Sequence, residues 1–138
     1  MRHLQIKKEE MKRQSNVVLL LGLLVLFQLT DCEIFRLGLG RINNNFVFGL
    51  VAGNLLAITI AIILSALLYW ITPKTKTARV AFFVLLAGVL SNISDRISYG
   101  GVIDYIKIWF IPTFNLADIA IVVSIIIIGL ELIKKSRK

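Results

Sequence analysis

The sequence predicts an all-α membrane protein: a four-transmembrane-helix bundle with a small extracytoplasmic β-like platform. Three observations predict it. Of the 138 residues, 57% are hydrophobic, and the excess is gathered in four long apolar runs. The alternating polar faces of a soluble core are scarce. Twelve of the sixteen Lys and Arg fall in three patches, 2–13, 74–79 and 134–138. With four crossings these patches share one side, and basic flanks mark the cytoplasmic side. Both termini are therefore expected in the cytoplasm, and the polar cluster at the outer face. Residues 1–138 read as a single integral membrane domain.

Residues 1–16 are charged and read as helical or frayed. The first span is placed at 17–30, VVLLLGLLVLFQLT. The ending LTDC also fits a cleaved lipoprotein signal with Cys32 as the modified residue. Asp31 argues against it, because the residue before such a cysteine is normally small. Three further spans also favour retention as a transmembrane helix.

The first outer segment, 31–48, reads as short strands or a looped platform, with Gly38 and Gly40 breaking any helix. Asn43 to Asn45 suit a tight turn. In the second span, 49–71, Gly49 and Gly53 allow close helix contact, and Tyr69 and Trp70 mark the interface. TPKTKTAR, 72–79, is a basic inner loop. The third span, 79–97, carries a small-residue face of Ala87, Gly88 and Ser91. In the second outer segment, 98–113, Gly100 and Gly101 turn the chain back and VIDYI runs extended. Trp109 and Phe110 suit the interfacial belt. The fourth span is 114–133, with Thr113 as its expected N-cap.

Several function classes are excluded. The net charge of +8 is accounted for by topology and contact with anionic membrane lipids, so no nucleic-acid partner is expected. A single cysteine, Cys32, allows no internal disulfide. The single histidine, His3, lies in the cytoplasmic tail. No metal site, no cofactor and no histidine-dependent triad is therefore expected at the outer face. Catalysis there has to rest on carboxylates.

Candidate carboxylates are present. Asn92, Asp95, Arg96, Asp104, Asn115 and Asp118 crowd the ends of two apolar runs. Ionisable groups beside a bilayer usually face a cavity or a partner. Asp104 and Asp118 lie on opposite sides of one loop and can converge. Two close carboxylates in a low-dielectric site share a proton, leaving one acid and one base to activate water against an amide. The other reading makes Asp104 a solvated loop residue and Asp118 a helix N-terminal charge. Asn115 shares a helical face with Asp118, and Asn92 shares one with Arg96. These asparagines can orient carboxylates or a scissile carbonyl, and Arg96 can pair with an anion. Asp95 is a structural candidate, read as a local ion pair with Arg96. Asn43 to Asn45 read as turn residues or ligands.

These residues resemble the lipoprotein signal peptidases (signal peptidase II). That family's pattern is approximately GGxxGNxxDR, then GxVxDF, then FNxADxxI. Here it stands as AGVLSNISDR at 87–96, GGVIDYI at 100–106 and FNLADIAI at 114–121. The resemblance implies an aspartic membrane peptidase that cleaves a prolipoprotein just before its diacylglyceryl-modified cysteine. By position, Asp104 and Asp118 match the catalytic pair, and Asn92, Arg96 and Asn115 its polar companions. The element NxGxAFG appears as NNNFVFG at 43–49, so Asn43 matches the substrate-contacting asparagine. The chain departs from the pattern at three places. DQxTK becomes FQLTD at 27–31, with Phe27 for the acid and Asp31 for the lysine. Asn45, Phe46 and Val47 replace the glycine and small residues of NxGxAFG. Ser91 replaces a glycine.

The alternatives are a non-catalytic membrane relative that binds lipoprotein or lipid, and a small transporter or assembly subunit. Transporter sites sit near the bilayer midplane, whereas these carboxylates lie near one face. The resemblance places the expected enzyme in the bacterial inner membrane.

Overall fold

The computed structural model describes residues 1–46 and 51–137. Four helices carry the fold: α1 (Arg2–Arg36), α2 (Asn54–Ile71), α3 (Lys76–Tyr99) and α4 (Leu116–Ser136). Four short strands lie between them: β1 (Arg41–Asn43), β2 (Asn45–Phe46), β3 (Val51–Ala52) and β4 (Val102–Asp104). All four helices are long and apolar enough to cross a membrane. A helix satisfies its own backbone hydrogen bonds, which is what lets apolar runs of this length sit in lipid.

α3 is the central helix, packed against α1, α2 and α4. Small residues make this possible. Ala78, Ala81, Ala87, Gly88 and Ser91 are all buried along it. At Gly88 a Cβ would lie 2.7 Å from the Ala117 carbonyl oxygen and 2.9 Å from Ile121 Cγ1, so α3 and α4 touch backbone to backbone there. Phe27 of α1 packs on Ala87 and Ala117. Nearer the opposite end, Ala81, Phe82 and Ile128 form a second cluster, bordered by Leu68 of α2. The remaining helix surface is studded with exposed large apolar residues, as lipid contact requires.

The basic patches meet at one end of the bundle. Arg79 reaches Glu9 at 3.7 Å, Thr75 Oγ1 donates to Glu131 Oε2 at 2.7 Å, and Lys134 pairs with Glu131 at 2.9 Å. The start of α1, the α2–α3 connection and the end of α4 are thus neighbours. The strands and the polar cluster lie at the other end.

Two expectations about the outer segments are corrected. Residues 31–36 are not part of a looped platform but continue α1, and Asp31 among them faces the bundle interior. Asn43 is not a turn residue but the last residue of β1. β1 and β4 pair antiparallel with Arg41 opposite Asp104, Ile42 opposite Ile103 and Asn43 opposite Val102. β2 pairs with β3. VIDYI does run extended from Val102. Gly100, at φ 77°, ends α3 and turns the chain into β4. The expected Gly49–Gly53 contact involves Gly49, which lies outside the described residues, as does Val47.

The N-cap of α4 is also corrected. Asn115, not Thr113, caps it. Its side chain accepts from the Asp118 N–H, and the Asp118 carboxylate accepts from the Asn115 N–H. This reciprocal box satisfies two helix-end donors at once.

Candidate functional site

Asp104 and Asp118 are each held by an asparagine from another element. Asp104 ends β4 and is 3% exposed, a buried strand residue and not a solvated loop residue. Its Oδ2 accepts from Asn43 Nδ2 at 2.8 Å. Asp118 sits in the first turn of α4. Its Oδ1 accepts from Asn92 Nδ2 at 2.8 Å, and its Oδ2 from the Asn115 N–H at 3.1 Å. Asn115 Nδ2 donates in turn to Asn92 Oδ1 at 2.9 Å. Asp118 is therefore part of a helix cap and also the hub of a contact between α3 and α4.

Arg96 is buried, and its Nη1 donates to Asn54 Oδ1 at 3.0 Å, at the first residue of α2. Asn54 Nδ2 donates onward to the Gly100 carbonyl. The guanidinium thus ties α2 to the end of α3. Its positive charge still reaches Asp104, lowering the carboxyl's proton affinity.

Asp104 titrates far from its usual range. Burial pushes its carboxyl from 3.8 up to about 6. The Asn43 amide opposes that rise, the Asp118 charge adds to it, and Arg96 opposes it again. Asp104 and Asp118 are therefore electrostatic neighbours.

Asp95 does not form the expected ion pair with Arg96. Adjacent helix positions point about 100° apart, which separates them. Asp95 instead faces α1 and β4. Gln28 Nε2 donates to its Oδ1 at 3.0 Å, and the Ile103 N–H donates to its Oδ2 at 3.2 Å. Gln28 also reaches the Ser91 carbonyl at 3.1 Å and Ser91 Oγ at 3.0 Å. Asp95 thereby holds the residue just before Asp104.

Four residues near the site were not among the sequence candidates: Gln28, Asp31, Asn54 and Tyr105. Asp31 is 1% exposed, with Ser91 Oγ 3.5 Å from its Oδ2. Among the described residues its Oδ1 has no hydrogen-bond partner of ordinary geometry. Tyr105 follows Asp104 directly, and its hydroxyl accepts the Leu116 N–H at 3.2 Å. Burial pushes the Tyr105 phenol up to about 12; the Leu116 N–H opposes the rise, while the Asp31 charge adds to it. One signal was available. Leu20, Leu23, Phe27 and Asp31 recur at helical spacing, so a reader following the core face of α1 arrives at Asp31.

Phe27 and Asp31, the departures in the FQLTD stretch, both point inward. Phe27 fills core volume, and Asp31 joins the polar cluster. Ser91 is buried on the face of α3 that meets Asp31 of α1. Among the described residues no group of three or more His, Cys, Asp or Glu could hold a metal ion. The arrangement offers two neighbouring carboxyls, one with a raised proton affinity, and a set of amide donors. That inventory suits acid–base chemistry on a polar bond.

Residues 7–134 match the family model described as signal peptidase (SPase) II. The chain is 33% identical over 106 residues to a lipoprotein signal peptidase of Clostridium acetobutylicum, covering 70% of this chain and 69% of that protein. It is 30% identical over 105 residues to a lipoprotein signal peptidase of Clostridium novyi, covering 69% of this chain and 71% of that protein. The match to a lipoprotein signal peptidase of Photorhabdus laumondii, 36% identical over 73 residues, covers 50% of this chain and 44% of that protein. Two solved structures, described as a bacterial membrane enzyme studied by the in meso method, superpose with TM-scores of 0.77 and 0.73. Both are 24% identical; they cover 89% and 88% of this chain, and 90% and 94% of their own. At that identity they share the fold.

Proposed function

The chain belongs to the signal peptidase (SPase) II family of aspartic-type membrane peptidases, and from that premise we propose that Asp104 and Asp118 form its catalytic dyad. The proposed substrate is a prolipoprotein whose cysteine carries a diacylglyceryl group. The observation that carries this reading is the pairing of unlike environments around two neighbouring acids. Asp118 has both oxygens occupied by N–H donors and stands at the positive end of a helix, where negative charge is favoured. Asp104 is buried, with its proton held up to about 6. Environments that separate two carboxyls in this way assign one as base and the other as acid.

In the proposed reaction Asp118 removes a proton from a water as its oxygen bonds to the scissile carbonyl carbon. The tetrahedral intermediate collapses when the carbon–nitrogen bond breaks. Asp104 gives its proton to the departing nitrogen, which becomes the new N-terminus at the modified cysteine. The proton taken by Asp118 restores the shared proton of the pair. Asn43, Asn92 and Asn115 orient the carboxyls, and Arg96 balances their charge. By the family resemblance, Asn43 also contacts the substrate.

The setting of the reaction is part of the proposal. Residues 1–138 form one membrane domain in the bacterial inner membrane, with both termini in the cytoplasm and the site at the outer face. The gathering of the basic patches at the far end of the bundle supports that orientation. Apolar helix faces on either side of the site suit the lipid chains of the substrate and of the bilayer.

The test is direct. Purified protein in detergent is incubated with a lipidated and an unlipidated precursor, alongside Asp104→Asn and Asp118→Asn. Cleavage of the lipidated precursor alone is expected, with each variant reduced by about 10²–10⁴-fold or more. Undiminished cleavage by either variant rejects the dyad. Binding without turnover by the wild type favours the non-catalytic alternative.

A further inference from the structure

The start of α2 makes a polar contact that the proposed reaction does not use. Among the residues of α2 only Ala57 is buried, so most of this helix faces lipid. It meets α3 at both ends. At the basic end Leu68 borders the cluster of Ala81, Phe82 and Ile128, and the Tyr69 and Phe82 rings lie 5.4 Å apart. At the site end the contact is Asn54, the first residue of α2. Its Oδ1 accepts from Arg96 Nη1 at 3.0 Å, and its Nδ2 donates to the Gly100 carbonyl. One amide supplies the acceptor and the donor together. The two points it bonds are about one turn apart on α3, and the second is a helix-end carbonyl that the helical ladder leaves without a donor.

Both acids are reached from this end of α3. Asn92, one turn before Arg96, donates to Asp118 Oδ1 at 2.8 Å. Gly100, at φ 77°, opens the turn into β4, whose last residue is Asp104. At Gly101 a Cβ would lie 2.7 Å from Ile42 Cγ2 and 2.8 Å from the Asn43 carbonyl oxygen, so β1 packs directly on the same turn. The turn that delivers Asp104 is thus held by β1 and by Asn54.

We propose that Asn54 is a positioning residue: it clasps the end of α3 to α2 and so sets the approach of the two segments that hold Asp104 and Asp118. The proposal rests on the dyad reading above. Asn54 acts through Arg96 and Gly100 and takes no part in proton transfer. The clasp matters because two acids must reach one water, where a displacement of about 1 Å can cost about 10²-fold in rate.

The experiment is a double-mutant cycle of Asn54→Leu and Arg96→Met, with Asn54→Asp as a further variant. The readouts are kcat and KM for a synthetic precursor peptide bearing a diacylglyceryl cysteine, with thermal unfolding to establish that each variant is folded. Asn54→Leu is expected to lower kcat by about tenfold or more with KM unchanged. In the Arg96→Met background the same substitution is expected to cost less, because one of its two bonds is already gone. Asn54→Asp keeps an acceptor for Arg96 but has no donor for the Gly100 carbonyl, and its kcat is expected to fall as well. The proposal is overturned if Asn54→Leu moves only KM, if the losses of Asn54→Leu and Arg96→Met multiply, or if Asn54→Asp keeps the wild-type kcat. Should Asn54→Leu or Arg96→Met not fold, Asn54→Asp decides: a wild-type kcat overturns the clasp, and a lowered kcat at unchanged KM supports it. These outcomes are separable from failure of the dyad, which is read from Asp104→Asn and Asp118→Asn in the same assay.

Discussion

Asn43 and Asp104 meet across a two-stranded ladder, Asn43 Nδ2 donating to Asp104 Oδ2 at 2.8 Å. The register creates the meeting. With Asn43 opposite Val102, Asp104 is its diagonal neighbour on the same face. A slip of one residue would turn the amide to the other face and strand the carboxyl.

The first prediction follows from that bond. The amide stabilises the charged form of Asp104 and so opposes the effect of burial. Asn43→Leu removes the opposing pull, and Asp104 should keep its proton to higher pH. The alkaline limb of the kcat profile should move to higher pH, measured with a lipidated precursor. An unmoved limb would show that Asp104 is not the group being titrated.

Stability carries a second signature of the same residue. The Asp104 carboxyl titrates at 3.8 ordinarily and at about 6 in the fold. Between those values the folded chain binds more protons than the unfolded one. Stability contributed by this group is therefore present below the lower value and is lost as pH rises through the upper one. Asp104→Asn should flatten this part of the curve. Unfolding midpoints in detergent, compared across that window for wild type and variant, provide the measurement; identical slopes would contradict the assignment.

Gln28→Leu should weaken the fold and the site together. It leaves Asp95 Oδ1 and Ser91 without their α1 donor in the bundle interior. Unsatisfied buried acceptors cost about 1–3 kcal/mol. The unfolding midpoint should drop, and kcat should fall because Asp95 no longer holds Ile103 firmly. A variant with unchanged midpoint and rate would remove Gln28 from the account.

Gly88→Val tests the closest helix contact. Its first side-chain carbon would press on the Ala117 carbonyl at 2.7 Å and on Ile121 at 2.9 Å. Neither the backbone atom nor its helix can yield without parting α3 from α4. A loss of about 1–3 kcal/mol is expected, read as a lowered unfolding midpoint. Tolerance of valine would mean that the two helices are free to separate.

Orientation can be read by thiol labelling. In a Cys32→Ser background, Arg41→Cys should react in intact cells with a membrane-impermeant maleimide. Lys76→Cys should react only after the membrane is opened. The reverse pattern would invert the proposed topology.

Much of this protein is written in its sequence. Four apolar runs become four helices because a chain in lipid has to satisfy its backbone locally. The small residues of the third run foretell its central place, since only small side chains allow helices to meet on several sides. Asp104, Asp118, Asn92 and Asn115 are visible as polar residues beside apolar runs, where their cost demands a purpose.

Other features depended on the tertiary fold. Asp95 was read with its sequence neighbour Arg96, but its partners are Gln28, 67 residues away, and the Ile103 backbone. Asn43 was read as a turn residue or a ligand, and only the fold gives it Val102 as strand partner and a carboxyl 61 residues distant as acceptor of its amide. Asp31 read as the edge of an outer loop, yet it is buried, within an α1 that runs on to Arg36 beyond the apolar run. Local patterning decides which segments are helices, because helical hydrogen bonds span four residues. Which polar groups meet is decided by the packing of α1, α3 and β4 around one another. No periodicity in the chain encodes that arrangement.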